Sequence, residues 1–236
     1  MPRVESTAPR LKISKNKAKE LIQNKQILLN ESFYKPSFDV SACDGLNLKL
    51  LDEIYVSRAA LKLRGFLEQI SLDVRDKTCL DIGSSAGGFT QILLEKGAKS
   101  VTALDIGTNQ LHQSLREDSR VKELSNTDLR EFKSESKFEL ITCDLSFISL
   151  KNLLFYIDNL ALKDIILLFK PQFEVGKEAK RDKKGVLKDE KEVLKARALF
   201  EKESLKFGWI LKKCKLSSLK GKEGNVEYFY YFSKFK

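Results

Sequence analysis

The fold of this chain is decided by the stretch Thr78-Cys79-Leu80-Asp81-Ile82-Gly83-Ser84-Ser85-Ala86-Gly87-Gly88-Phe89-Thr90. It predicts a short buried strand, a glycine-rich turn and a helix that begins near Gly87. Glycine has no Cβ, so the backbone can turn tightly there and come close to a ligand. The first turn of the helix directs free N–H groups at whatever occupies the glycine turn. Such a turn after the first strand of an α/β unit is typical of nucleotide-type cofactor sites.

The spacing Asp81-x-Gly83-x-x-x-Gly87-Gly88 differs from the dinucleotide fingerprint G-x-G-x-x-G. A carboxylate at the strand end suits an amino group, and therefore the methionine part of S-adenosylmethionine, better than a pyrophosphate. The alternative is a strand–turn–helix corner with no ligand, because one glycine motif is weak evidence. The residues expected to contact the cofactor here are Asp81, Gly83, Ser84, Ser85, Gly87, Gly88 and Phe89.

The composition favours a globular protein with a polyanionic partner. The chain has 236 residues, 42% of them hydrophobic, and a net charge of +10 from 43 Lys+Arg against 33 Asp+Glu. Such an excess favours nucleic acid or an anionic membrane, the alternative being solubility alone. No run reaches the roughly 18 apolar residues of a membrane span, and no signal-peptide core begins the chain. The four cysteines are far apart and His112 is the only histidine, so we expect a cytoplasmic protein without a metal site.

Residues 1–45 are expected to form a separate small α+β module. A basic helix over residues 16–25 is followed by a strand over 27–29, which we expect to turn at 30–32. This order is typical of a small RNA-binding module, although a lysine-rich helix is also commonly just a solvated face. The buried helix face is predicted to contain Ala18, Leu21 and Ile22. The candidate RNA-binding lysines are Lys15, Lys17, Lys19 and Lys25. Residues 46–55 are interpreted as a linker.

Residues 56–236 alternate short apolar runs with helical segments, which indicates a parallel sheet with crossover helices. Ser57 is expected to cap the first helix. Strands are predicted over residues 78–81, 100–105, 121–124, 138–144 and 164–169, followed by an antiparallel hairpin of 209–215 and 226–232. Helices are predicted over 87–96, 109–117, 149–160 and 189–207. This α/β arrangement of about seven strands is that of the class I, Rossmann-like methyltransferases.

Acidic side chains follow four of these strands: Asp81, Asp105, Asp128 and Asp144. Ligands of such sheets bind at the carboxyl ends of the strands, where these residues would converge. Asp105 can accept hydrogen bonds from both ribose hydroxyls of the cofactor, and Asp128 can accept one from the adenine amino group. Each aspartate alone could equally be a turn residue. Ile106 and Asp144 complete the predicted cofactor contacts.

Four further motifs resemble the TlyA (haemolysin A) family. They are residues 56–63 (VSRAALKL), 105–111 (DIGTNQL), 144–149 (DLSFIS) and 170–177 (KPQFEVGK). Members of this family are similar to FtsJ-type ribose methyltransferases with an N-terminal RNA-binding module. The resemblance covers residues 11–236.

The resemblance implies a catalytic tetrad of Lys62, Asp144, Lys170 and Glu227. A ribose 2′-hydroxyl is a weak nucleophile, so the site must align it with the methyl donor and assist loss of its proton. Lys170 is the candidate base if its pKa is depressed, and Lys62, a second cation, would act in that direction. Candidate RNA contacts of this domain are Arg58, Lys177, Lys180 and Arg181.

Three features depart from the family pattern. The first element of the RNA-binding module is altered or missing before residue 11. Ala59-Ala60 stands where two glycines are common. The chain ends soon after the last strand, and short forms of the family are associated with a narrower range of rRNA substrates.

The sequence therefore predicts an S-adenosylmethionine-dependent ribose 2′-O-methyltransferase. Its expected substrate is a cytidine of large-subunit ribosomal RNA, within a subunit or an assembly precursor, and no metal or membrane is required. The alternatives are a non-catalytic RNA-binding or ribosome-assembly factor and, less favoured, a lytic protein.

Overall fold

The computed structural model describes residues 14–23, 27–29, 35, 37, 39, 48–50, 55–176, 178–183, 185–221 and 223–234. The chain divides into two compact units, Met1–Ile54 and Tyr55–Lys236.

The described part of the first unit contains one helix and a two-stranded sheet: α1 (Lys15–Gln23), β1 (Ile27–Leu29) and β2 (Leu48–Leu50). The helix buries Ala18, Leu21 and Ile22, as its spacing predicts. The sheet is antiparallel, with Ile27 opposite Leu50.

The linker expected over residues 46–55 is wrong at Leu48–Leu50, which form β2. The reason is the alternation of Leu48 and Leu50 with Lys49, the pattern of a strand with one apolar face. The turn expected at residues 30–32 lies outside the described residues.

The second unit is built on a seven-stranded sheet. Its elements are α2 (Arg58–Leu67), β3 (Thr78–Ile82), α3 (Gly88–Glu95), β4 (Ser100–Leu104), α4 (Gln113–Arg116), β5 (Val121–Leu124), β6 (Phe138–Cys143), α5 (Leu154–Leu160), β7 (Ala161–Phe169), α6 (Pro171–Glu174), α7 (Glu190–Leu205), β8 (Trp209–Leu216) and β9 (Tyr228–Lys234). A short 3-10 helix, Leu150–Leu153, precedes α5. The strand order is β5-β4-β3-β6-β7-β9-β8. The first five strands pair in parallel, and β9 and β8 are antiparallel. The predicted fold class is confirmed.

Apolar side chains pack against both faces of this sheet, as expected of strands that read as continuous apolar runs. One core includes Phe66 of α2, which stacks on Phe229 of β9 with ring centroids 4.6 Å apart. The other includes Phe200 of α7 and the fully buried Trp209 of β8. Cys79 and Cys143 are buried in these cores as free thiols.

Two helix predictions require correction. The helix predicted over residues 109–117 is only Gln113–Arg116, because Asn109 adopts a left-handed φ of 52° and the chain before His112 forms a turn. Ser57 precedes α2, but its side chain makes no capping hydrogen bond.

The sheet changes winding direction between β3 and β6, since β3 pairs with β4 on one side and with β6 on the other. Crevices for ligands form at such a point, outside the carboxyl ends of the strands. Among the described helices, none has both the length and the apolar character needed to cross a membrane.

Candidate active site

A cavity of about 490 Å³ lies at the carboxyl ends of β3, β6 and β7. Its lining residues are Ser57, Arg58, Ala59, Lys62, Gly83, Ser84, Ser85, Phe89, Asp144, Ser146, Lys170 and Lys220. They come from the start of α2, the glycine turn and the start of α3, the segments after β6 and β7, and the β8–β9 connection. The cavity thus joins the predicted cofactor turn to three of the four predicted catalytic residues.

The four predicted catalytic residues form two buried ion pairs. Lys62 Nζ of α2 lies 2.6 Å from Glu227 Oε2, which precedes β9. Lys170 Nζ, after β7, lies 2.6 Å from Asp144 Oδ1, after β6. Lys62, Lys170 and Glu227 are 8%, 9% and 3% exposed. Each lysine therefore has its own carboxylate, and the charges are balanced in pairs beside the cavity.

Lys170 is held by a second contact as well. Its Nζ donates a hydrogen bond of 2.9 Å to Ser146 Oγ. Its contact with Asp144 is a charge pair rather than an aligned hydrogen bond, because Asp144 Oδ1 accepts no such bond from the described residues. Ser146 also lines the cavity. The pattern of the sequence gives it no separate signal, because a serine after a strand is an ordinary turn residue.

Asp81 does not face the cavity. It is fully buried, and its two carboxylate oxygens accept hydrogen bonds from Thr90 at 2.7 Å and from Thr142 at 3.0 Å. Burial raises the pKa of Asp81 to about 6, while these hydrogen bonds act in the opposite direction. The residue ties β3 to α3 and β6, so its geometry is that of a support for the glycine turn.

The glycine turn uses conformations that favour glycine. Gly83 and Gly87 have φ values of 78° and 93°, and Ser85 is also left-handed at 46°. A Cβ on Gly83 would lie 2.8 Å from the carbonyl oxygen of Asp144, so the ends of β3 and β6 touch here. Helix α3 starts after Gly87, whose lack of a side chain leaves the first N–H groups uncapped.

Gly88 lies at a close contact between α3 and the start of α2. A Cβ on Gly88 would lie 2.8 Å from the backbone nitrogen of Ala60 and closer still to Ser57 Oγ. The glycine therefore allows α3 to pack against the start of α2, which holds Lys62 beside the cavity. Phe89 lines the cavity and is also part of the hydrophobic core.

Asp105 holds the glycine turn in place. Its Oδ2 accepts a hydrogen bond of 2.8 Å from the backbone N–H of Ser85, and its Oδ1 accepts one of 2.6 Å from that of Gly107. Each oxygen keeps a second lone pair for a ligand hydroxyl. The sequence does not indicate this structural role, since Ser85 is 20 residues away along the chain.

Asp105, Ile106 and Asp128 line a second cavity of about 170 Å³. Its apolar side chains include Leu129, Leu145 and Ile148, and it shares Gly83 and Ser146 with the larger cavity. Hydrogen bonds from the side chain of Arg130 lower the pKa of Asp128, which keeps it an ionised acceptor. Ile106 is 67% exposed. The two adjoining cavities form one elongated site with an apolar end.

Two cations of the larger cavity have no carboxylate partner among the described residues, Arg58 and Lys220. Arg58 donates a hydrogen bond of 3.2 Å to the backbone oxygen of Lys220, which brings the two side chains to the same rim. Lys220 lies in the β8–β9 connection and was not predicted, because a loop lysine has no distinctive pattern.

The other predicted RNA contacts are distributed as follows. Lys180 and Arg181 are exposed on the loop between α6 and α7. The backbone of Arg181 forms an isolated antiparallel β-bridge with that of Leu187. Lys15 and Lys19 are exposed on α1 of the first unit. Lys25 and Lys177 and the side chain of Lys17 lie outside the described part of the chain.

Phe147 is an exposed aromatic residue within the motif over residues 144–149, and its sequence pattern does not indicate this exposure. Its φ is 67°, an unusual conformation for a bulky residue, and its side chain is 91% exposed. It follows Ser146 directly and contacts Phe173, with ring centroids 5.1 Å apart. An exposed aromatic ring in a strained loop is typical of a functional surface rather than a core.

Comparison with known proteins agrees with this geometry. A family model described as FtsJ-like methyltransferase matches residues 55–234. The chain is 63% identical over 243 residues to the 23S rRNA (cytidine-2'-O)-methyltransferase TlyA of Campylobacter jejuni, covering 95% of this chain and 96% of that protein. The chain belongs to the TlyA family of FtsJ-like methyltransferases. The family resemblance drawn from the motifs is therefore confirmed.

Other TlyA relatives extend the comparison. The 16S/23S rRNA (cytidine-2'-O)-methyltransferase TlyA of Mycobacterium tuberculosis is 41% identical over 203 residues, covering 83% of this chain and 75% of that protein. A solved structure of a candidate hemolysin from Streptococcus thermophilus has a TM-score of 0.75 at 31% identity and covers 100% of this chain and 89% of its own.

Proposed function

We propose that this protein is an S-adenosylmethionine-dependent ribose 2′-O-methyltransferase that acts on a cytidine of large-subunit ribosomal RNA. The observation that carries the proposal is the pair of lysine–carboxylate contacts, Lys62 with Glu227 and Lys170 with Asp144, beside a cavity that adjoins a glycine turn. The substrate is inferred from the Campylobacter relative, which is named for this reaction and matches nearly the whole chain.

The two adjoining cavities suit the parts of the cofactor. The uncapped start of α3 and the glycine turn would hold the methionine part, since N–H groups there bind a carboxylate. Asp105 would accept the ribose hydroxyls, and Ile106 and Asp128 would hold the adenine ring and its amino group. When bound, S-adenosylmethionine supplies a methyl group that the sulfonium already activates. Asp81 is assigned to positioning, because both of its oxygens face threonines.

The lysine pairs would act on the ribose. Lys170 Nζ, fixed by Asp144 and Ser146, would orient the 2′-oxygen. When its amine is deprotonated, Lys170 would also accept the proton of the 2′-hydroxyl. Lys62, fixed by Glu227, would hold the ribose from the opposite side and keep the attacking oxygen in line. The methyl group of a bound S-adenosylmethionine would pass to the 2′-oxygen, whose proton Lys170 would hold.

The RNA would lie over the rim of the larger cavity. Arg58 and Lys220 would contact phosphates, and the exposed ring of Phe147 would stack on a base. Lys180 and Arg181 extend the same basic character along the loop. We further infer that residues 1–45 are an RNA-binding module, supported by the exposed Lys15 and Lys19 on α1. The expected partner is rRNA in a subunit or assembly precursor, and we infer a cytoplasmic protein from that partner.

Methyl transfer from radiolabelled S-adenosylmethionine to ribosomal RNA tests the proposal. The wild-type protein should label large-subunit RNA, with 2′-O-methylcytidine as the product. Lys170→Met should abolish labelling. Lys77→Met is the matched control, because Lys77 Nζ also lies in a buried ion pair, 2.5 Å from Asp164 Oδ2, but does not line the cavity.

The possible results of this experiment distinguish a catalytic role of Lys170 from a non-catalytic protein and from a folding effect. Labelling that survives Lys170→Met would contradict the assignment of the base. Binding of RNA and cofactor by the wild-type protein without any methyl product would instead favour a non-catalytic assembly factor. Equal loss in Lys77→Met would mean that the effect is one of folding rather than chemistry.

A further inference from the structure

Glu174 is a buried carboxylate that the proposed mechanism does not use. It is the last residue of α6, four residues after Lys170, and is 9% exposed. Its Oε2 accepts a hydrogen bond of 2.6 Å from Ser149 Oγ, and its Oε1 accepts one of 2.6 Å from the backbone N–H of Leu150. The carboxylate therefore caps the 3-10 helix that follows the β6 loop. It does not line either of the two cavities described above.

The loop that Glu174 anchors contributes directly to the site. Residues 144–149 contain Asp144 and Ser146, both of which line the larger cavity. Within the described part of the chain, no backbone-to-backbone hydrogen bond holds residues 145–148, and Phe147 among them has a left-handed φ of 67°. A conformation of this kind persists only when its surroundings fix it. The loop needs anchors outside its own backbone.

Those anchors come from the segment after β7. At the site end, Lys170 contacts Asp144 and Ser146. In the middle, the rings of Phe147 and Phe173 are in contact. At the far end, Glu174 holds the 3-10 helix. Burial raises the pKa of Glu174, which indicates that the fold places this carboxyl in a dry position where its bonds replace water.

We propose that Glu174 is a positioning residue that fixes the 145–149 loop against the segment carrying Lys170, so that Ser146 and Phe147 meet the substrate ribose and base in one geometry. The role of the loop toward RNA rests on the function proposed above, whereas the anchoring itself does not. Glu174 touches neither the cofactor site nor the reacting atoms, so its effect is indirect.

The experiment compares Glu174→Ala, Glu174→Gln and Glu139→Ala. Glu139 is a matched control because it makes the same kind of clamp, accepting from the backbone N–H of Thr78 at 3.0 Å and from Thr78 Oγ1 at 3.3 Å. Thr78 begins β3, at the end of the strand remote from the cavity. Gln at position 174 keeps the shape, and it can accept from Leu150 N–H while donating to Ser149 Oγ.

Two readouts are expected to agree. In steady-state methyl transfer, Glu174→Ala should lower kcat by about 10- to 100-fold with unchanged affinity for S-adenosylmethionine, because a misplaced site loses alignment rather than cofactor binding. Glu174→Gln should recover most of kcat, and Glu139→Ala should keep it. In hydrogen exchange of the protein alone, the amide of Leu150 should exchange faster in Glu174→Ala than in the wild type.

Wild-type kcat in Glu174→Ala, or an equal loss in Glu139→Ala, would overturn the positioning role. So would unchanged exchange at Leu150. If the wild-type protein transfers no methyl group to RNA but the exchange at Leu150 responds to Glu174→Ala, the proposed function fails and the anchoring survives.

Discussion

The buried pair of Lys62 and Glu227 allows a quantitative prediction. Its atoms are 2.6 Å apart and its side chains are 9% and 3% exposed. At an effective dielectric constant of about 20 the attraction is about 6 kcal/mol, which desolvation of both charges largely offsets. Removing one partner leaves the other charge buried and unpaired. We therefore expect Glu227→Gln or Lys62→Met to lower the free energy of unfolding by about 3 kcal/mol each.

The double variant should not lose twice as much. With both charges removed, no unpaired charge remains in the core, so the combined loss should be well below the sum of the single losses. The expected coupling energy is about 2 to 3 kcal/mol. Urea denaturation of the wild type, both single variants and the double variant at pH 7 measures it directly. Methyl transfer should be absent from all three variants, because both residues belong to the proposed tetrad.

The control is an ion pair with the same separation but little burial. Lys195 and Glu192 of α7 are also 2.6 Å apart, with side chains 61% and 38% exposed. Solvent screens such a pair, so its cycle should give a much smaller coupling energy than that of Lys62 and Glu227. If the Lys62–Glu227 cycle gives no more than this control, the two residues are not a buried pair in solution and the reasoning is refuted.

Three further predictions follow from the packing around the site. Gly88→Ala should cost about 1 to 3 kcal/mol by forcing α3 away from the backbone of Ala60. Gly65→Ala should cost less in thermal unfolding, because a Cβ there would meet only the rotatable side chain of Ser218, at 3.1 Å, and alanine favours the helix; equal losses would contradict the helix contact. The pKa of Asp81 is raised from 3.8 to about 6 in the folded protein, so the stabilisation by its protonated carboxyl is complete below pH 3.8 and is lost as pH rises through 6. In urea titrations between these two pH values, the free energy of unfolding of Asp81→Asn should rise by about 3 kcal/mol relative to the wild type, and parallel curves would contradict this. Phe147→Ala should change the free energy of unfolding by less than about 0.5 kcal/mol, because Phe147 is 91% exposed. The same variant should methylate RNA more slowly at unchanged cofactor affinity, and wild-type kinetics would contradict the stacking of Phe147 on a base.

Much of the fold follows from local pattern. The apolar runs of the sheet strands and the helical segments between them are visible in the sequence, and the structure differs mainly at the ends of elements. The region 109–117 is an exception, since the bend around Asn109 replaces about one helical turn before Gln113. Leu48–Leu50 is another, because its single alternation of apolar and polar residues does not stand out until Ile27–Leu29 pairs with it.

Only part of the candidate site can be predicted from the sequence. The motifs indicated Lys62, Asp144, Lys170 and Glu227 as a set, but nothing in them indicates that Lys62 pairs with Glu227, 165 residues away. That pairing depends on how α2 packs over the sheet, which a close contact at Gly88 permits.

The sequence by itself determined the α/β class, the glycine turn and the residue types of the site, because hydrophobic periodicity and backbone preferences are local properties. Only the tertiary structure decided that Asp81 points at two threonines and that Asp105 holds the glycine turn. It alone placed Phe147 on the surface and Glu174 inside. The physical reason is that the side of a strand and the partner of a buried polar group are fixed by packing between distant segments.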